Sequence, residues 1–247
     1  MPADPSSLPR NAQGFRERGA QVTRLEAFVD AAFAFAVTLL VISFDGLPRS
    51  AEELVTAYKG IPAFAASFVL LAGFWRAHER WSRWYGLDDG RSTTLSLLLV
   101  FLVLVYVYPL RMLFGGLFHF ISAGALPTEF VIDSVDDLRW MFGSYAVAYG
   151  SLSLVVLLLY RHAWKMREQI GLDANERVYT RLMMLLWGIT IAVSVLSFAL
   201  SLLIGPVLQR GWMISLPGMA YCLMFLIYPL SLWGHRHWRT REGLPPR

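Results

Sequence analysis

Cysteine is all but missing from this chain. Cys222 is the only one among 247 residues, which excludes an intrachain disulfide and any thiolate-rich metal site. Charge is scarce as well: Asp, Glu, Lys and Arg together make up 16% of the residues, against about 25% in ordinary soluble domains. The five histidines, His78, His119, His162, His235 and His237, show no HExxH spacing, and the last two are two residues apart, so they diverge on a helix. There is no GxSxG elbow, no phosphate-cradling GxxxxGK[ST] and no carboxylate pair deep in an apolar run. Enzymatic chemistry, a resident cofactor and a metal centre are therefore not expected. The first residues contain no short apolar core with a small-residue cleavage site, so a signal peptide is not expected either.

What fills the chain instead is apolar: 56% of the residues are hydrophobic. That suits an all-α polytopic membrane protein. Six segments reach spanning length, at about 22–44, 54–75, 92–114, 139–160, 182–204 and 212–233. Residues 1–20, rich in Pro, Ser, Gly and Arg, read as a flexible tail. Residues 21–235 form the membrane domain and 236–247 a second tail. Of the 22 Lys and Arg residues, only Arg49, Lys59, Arg111, Arg139 and Arg210 fall on the side opposite the tails. The positive-inside rule then puts both termini in the cytoplasm. Topology and the lipid bilayer account for the positive charge, so nucleic acid is not needed as a partner.

Helix punctuation marks several boundaries. Ser50 with Glu53 has capping-box spacing. Acids follow Ser134 at Asp136 and Asp137, and Asp173 precedes Glu176, all at expected helix starts. The longest connection, about 115–138, holds Gly115, Gly116, Gly124 and Pro127 around "LFHFI" and reads as a partly interfacial outer loop. "YPL" recurs at 108–110 and 228–230, where spans three and six are expected to end. Asp88 and Asp89, beside Arg83 and Arg91, read as solvated loop charges.

The most informative stretch is Arg24 to Asp45, "RLEAFVDAAFAFAVTLLVISFD". Asp30 stands at the edge of a membrane-length apolar helix, where an unpaired acid is costly. Arg24 is six residues away and roughly 240° around the helix, so the two do not face each other. A partner must come from elsewhere, and Trp75, Arg76, His78, Arg161 and His162 are candidates at the same depth. The alternative is an interfacial acid wetted by water. Ala31, Phe35, Thr38 and Ile42 recur at helical spacing on one face. Such a stripe is either a packing seam, with Thr38 bonded to the carbonyl four residues back, or the lining of a narrow path. In the second case Phe35 and Ile42 would be apolar constrictions and Thr38 would offer oxygen to an ion.

"RLEAFVD" followed by this span resembles the first helix of the transmembrane protein 175 family, potassium channels of lysosomes and bacteria. Arg24, Phe28 and Asp30 match that family's R-x-x-x-F-S-D signature, and Phe74–Trp75 with His78 ends span two as in the family. Val29 stands where the family has serine, and Phe35 is bulkier than the usual aliphatic residue at its level. The resemblance implies a homotetramer whose first helix lines a central pore, conducting potassium ions through apolar rings beside a Thr38 ring. No TVGYG filter is present. It further implies that Arg24, Phe28 and Asp30 tie the pore helix to span two through Trp75 and His78. Six spans per subunit fit a bacterial member in the plasma (inner) membrane. A proton-coupled transporter using Asp30 and His78, and a non-conducting relative of the channels, are the alternative expectations.

Overall fold

The computed structural model describes residues 9–11, 14–42, 49–128, 130, 132–208 and 211–245; the side chain of Ile42 lies outside that description. Among the described residues the regular elements are all helical, apart from two isolated bridges, Arg10 with Arg16 and Ile204 with Leu208. In chain order they are α1 (Arg24–Ile42), α2 (Ala51–Lys59), α3 (Ile61–Tyr85), α4 (Gly90–Ile121), α5 (Val135–Lys165), α6 (Ala174–Leu202), α7 (Leu216–Met219) and α8 (Ile227–Arg241). Two 3-10 stretches, Gly211–Ser215 and Ala220–Leu226, flank α7.

Five helical stretches among the described residues are long and apolar enough to cross a membrane: 51–85, 90–121, 135–165, 174–202 and 212–241. With its 19 residues, α1 measures about 28 Å at 1.5 Å per residue, close to the roughly 30 Å hydrocarbon layer. Caps sit where hydroxyls and acids precede the apolar runs. Ser50 Oγ accepts from the Glu53 amide, and full capping boxes join Ser134 to Asp137 and Asp173 to Glu176. These side chains satisfy amides that the first helical turn leaves without partners.

The helices pack in a graded order. α1 lies on α3 and α4, α4 on α5, α5 on α6, and α6 on α8. The α5–α6 pairing is the most extensive, and small residues explain it. Gly150 meets Ser194, where an added Cβ would come within 3.0 Å of the serine Cβ, and Gly143 meets Ser201. In lipid, where tails are as apolar as leucine, such close backbone approach replaces the hydrophobic drive for helix pairing. The core between α1, α3, α4 and α5 holds Val29, Phe33, Leu71, Phe74, Trp81, Tyr85, Leu99, Val103, Leu152 and Tyr160.

Several boundaries differ from the sequence expectation, each for a physical reason. The second span does not end at residue 75; α3 continues to Tyr85 because Trp81, Trp84 and Tyr85 extend its buried face. The third does not end at "YPL": α4 runs twelve residues past Pro109 to Ile121. Proline removes one hydrogen bond, but neighbouring helices in a membrane tolerate that loss. Gly115 and Gly116 are thus helical and not loop, with Gly115 buried near Thr128. The second "YPL" lies in the first turn of α8, and the expected last span is helical from 212 to 241, alternating between 3-10 and α geometry around Pro217 and Gly218. Asp89 is not a solvated loop charge. It caps α4 by accepting from the Ser92 amide at 2.8 Å and meets His162 Nε2 of α5 at 2.6 Å.

The described part of the first twenty residues is docked, which corrects the expectation of a flexible tail there. Phe15 is fully buried, stacked on Trp84 with ring centroids 4.5 Å apart and edge-on to Tyr85. Arg18 pairs with the fully buried Glu176 at 2.7 Å and donates to the Trp84 and Ile170 carbonyls. Arg10 pairs with Asp173 at 2.8 Å. At the other terminus Arg239 donates to Pro245 O and to Asn175 Oδ1 at the start of α6. Both terminal segments therefore gather at the same end of the bundle.

Candidate functional site: the first helix and its anchors

α1 divides into two opposed stripes. Val29, Phe33, Ala36 and Leu40 are buried, at most 4% exposed, against α3 and α4. About half a turn away Ala31, Phe35, Thr38 and Val41 are exposed, Phe35 by 55%. Both stripes follow spacings of four and three, the helical repeat. The expected stripe of Ala31, Phe35 and Thr38 is thus the exposed side of α1 among the described residues. Thr38 Oγ1 donates to the Ala34 carbonyl at 3.0 Å. That bond uses the only hydroxyl proton and leaves oxygen lone pairs free to accept.

Two side chains from other helices fix α1 at its two ends. Near the start, Trp75 Nε1 of α3 donates to Asp30 Oδ1 at 2.7 Å. Asp30 is itself exposed on the subunit surface, as are Arg24 and Phe28, the latter by 53%. At the far end, Arg111 of α4, 8% exposed, donates from Nη1 to the Leu40 carbonyl at 2.7 Å. A guanidinium suits that place, because the last carbonyls of a helix lack intrahelical donors and carry partial negative charge. The sequence marks Arg111 as a charge on the side opposite the tails, and its bond to Leu40 is a further role. A single arginine inside a long apolar run, two residues past Pro109, was the available signal.

The remaining expected residues fall as follows. His78 is 2% exposed and its Nε2 lies 2.9 Å from Ser96 Oγ, so it joins α3 to α4, and α1 is held by Trp75 alone of the two. Val29, in place of a serine, is fully buried in the apolar core, where a hydroxyl would need its own acceptor. His162 serves Asp89, not Asp30. Among the described residues no three His, Cys, Asp or Glu side chains converge as metal ligands.

The family model described as the endosomal/lysosomal potassium channel TMEM175 matches residues 24–109, the stretch that carries α1, its anchor Trp75, and His78. A protein of Marivirga tractuosa described as a potassium channel is 32% identical over 196 residues, covering 76% of this chain and 78% of that protein. The crystal structure of a threonine-to-alanine variant of the potassium channel MtTMEM175, in complex with a nanobody–MBP fusion, superposes with a TM-score of 0.78 at 28% identity. That match covers 94% of this chain and 100% of the other.

Fold, anchored helix and relatives together define an integral membrane protein of the ion-channel class and not an enzyme. Within that class the chain belongs to the TMEM175 family of potassium channels.

Proposed function

We propose that this protein is a potassium-selective, leak-type channel assembled as a homotetramer of six-span subunits, with α1 of each lining a central pore. The observation that carries the reading is the exposed stripe of Ala31, Phe35 and Thr38, opposite the buried stripe of the same helix. A membrane helix that anchors one face in its own subunit needs a further partner for the other. Cyclic symmetry supplies it from identical copies and closes a path at the axis. Phe35 and Ile42 then form apolar constrictions that control wetting, and a ring of Thr38 oxygens between them contacts partly dehydrated potassium ions. Phe28 and Arg24 lie nearer the mouth, beside the Asp30–Trp75 anchor. Potassium is the permeant ion and no resident cofactor is invoked. The surplus of Lys and Arg at the end that carries both termini supports cytoplasmic termini, and the bacterial relative supports a bacterial plasma membrane.

The test is reconstitution into liposomes with a potassium gradient and a matched sodium gradient. Potassium flux that exceeds sodium flux, and loses that preference in Thr38→Ala, supports the reading. Flux that is absent, or indifferent to changes at Thr38 and Ile42, overturns it. Current that appears only in a Val29→Ser, Phe35→Leu variant identifies a sealed relative of the conducting channels.

A further inference from the structure

The outward face of α8 carries a groove of about 470 Å³ lined by Pro229, Leu232, Trp233, Arg236, His237 and Thr240. These residues span about 16 Å along the helix axis, and their chemistry changes along it. Pro229, Leu232 and Trp233 form the half nearer the middle of the bundle. Arg236, His237 and Thr240 form the half nearer the end where Arg239 meets Asn175 and Arg181 meets Glu242. Trp233 is stacked on His237, centroids 5.1 Å apart and 7° from parallel, which holds the imidazole across the groove at the junction of the two halves.

Charge points to an anion. α8 contains three arginines and two histidines and no acidic residue. Arg239 is occupied with Pro245 O and Asn175. Arg236, exposed in the groove, has no ion pair or side-chain hydrogen bond among the described residues. An apolar half above a cationic half, with a tryptophan between them, is the profile of a single phospholipid: acyl chain above, phosphate below.

We propose that this groove is a binding site for one anionic phospholipid of the leaflet facing the termini, its phosphate held by Arg236, His237 and Thr240 and its first chain segments by Leu232 and Trp233. Position favours lipid over a second copy of the chain. The packing of α8 is chiefly on α6, whereas α1 packs on α3 and α4, so if α1 faces the axis, as proposed above, the groove lies on a helix away from it.

Native mass spectrometry of the detergent-extracted protein, incubated with equal phosphatidylglycerol and phosphatidylcholine, reads the site without requiring conduction. The wild type retains phosphatidylglycerol in preference. Arg236→Gln reduces that retention about fivefold, near what one basic residue contributes at an anionic surface, and Arg236→Lys restores most of it, with elution profiles matching the wild type. Equal retention of the two lipids by the wild type, a measurement that needs no variant, overturns the proposal. So does phosphatidylglycerol retention unchanged in an Arg236→Gln, His237→Gln variant. Disulfide crosslinking between copies through Leu232→Cys in a Cys222→Ser background identifies a protein interface and also overturns it. Absent potassium flux with lipid preference intact counts against the channel reading alone.

Discussion

Arg111 of α4 and Leu40 of α1 are joined by a 2.7 Å hydrogen bond from guanidinium to carbonyl at the end of α1 remote from the Trp75–Asp30 contact. The two bonds lie ten residues apart on a 19-residue helix, about 15 Å along its axis, and they add directional contacts to the packing of its buried stripe on α3 and α4.

Replacing Arg111 by methionine keeps the volume but removes the donor to Leu40. A charge-assisted hydrogen bond is worth about 1.5–3 kcal/mol, part of it offset because a buried charge no longer needs desolvation. A net loss of about 1–2 kcal/mol is expected, seen as a lower melting temperature in detergent, with Arg111→Lys intermediate. Potassium flux should fall more than protein yield does, since the face presented by α1 depends on this bond.

Trp75→Phe and Asp30→Asn each weaken the other anchor. Trp75→Phe retains most of the ring and loses the indole donor, at a cost of roughly 1 kcal/mol. Because both substitutions break one contact, their effects on thermal stability should combine to less than their sum in a double-mutant cycle. Strict additivity would show that Trp75 and Asp30 are not coupled.

The docked amino-terminal segment is open to the same treatment. Phe15 fills a site between Trp84 and Tyr85 with no exposure. Phe15→Ala is expected to cost about 3–5 kcal/mol of docking. Limited proteolysis should then cut within residues 14–20 at a rate the wild type does not show. Phe15→Leu should fall between.

Acid should loosen the same region. Burial would raise Asp173, but the Glu176 amide, the Arg10 hydrogen bond and the charges of Arg10 and Arg16 outweigh it and hold the carboxyl below its ordinary value of 3.8. Asp89 is likewise lowered: burial opposes, and the Ser92 and His162 bonds prevail. A carboxyl whose folded pKa lies below the unfolded one stabilises fully above the unfolded value and loses that contribution as pH falls through the folded one. Protection from proteolysis of residues 14–20 should therefore hold at neutral pH and decline below about pH 4. Asp173→Asn should reduce protection at neutral pH and flatten the acid response.

Periodicity carried most of what could be read in advance. The stripe of Ala31, Phe35 and Thr38 repeats at the helical interval, and its uncovered side follows from neighbours that repeat at the same interval half a turn away. Caps at Ser50, Ser134 and Asp173 were equally legible, because donor and acceptor lie within three residues of each other. The partner of Asp30 was narrowed to a short set but not chosen, since indole, guanidinium and imidazole all sit at that depth. What stayed hidden depends on residues distant in the chain. Phe15 meets Trp84, Arg18 meets Glu176 and Arg111 meets Leu40; no local spacing encodes such pairs. A segment of Pro, Ser, Gly and Arg has a tail's composition whether or not one phenylalanine within it finds a slot.

The two-sided build of α1 separates two kinds of tolerance to change. Residues 29, 33, 36 and 40 answer to the interior of their own subunit, so alterations there register first as misfolding. Residues 31, 35 and 38 answer to whatever occupies the space beyond, so alterations there leave the interior of the subunit intact. If α1 lines the pore as proposed, a lineage can tune throughput and ion preference along one side of a single helix without renegotiating the architecture that holds it.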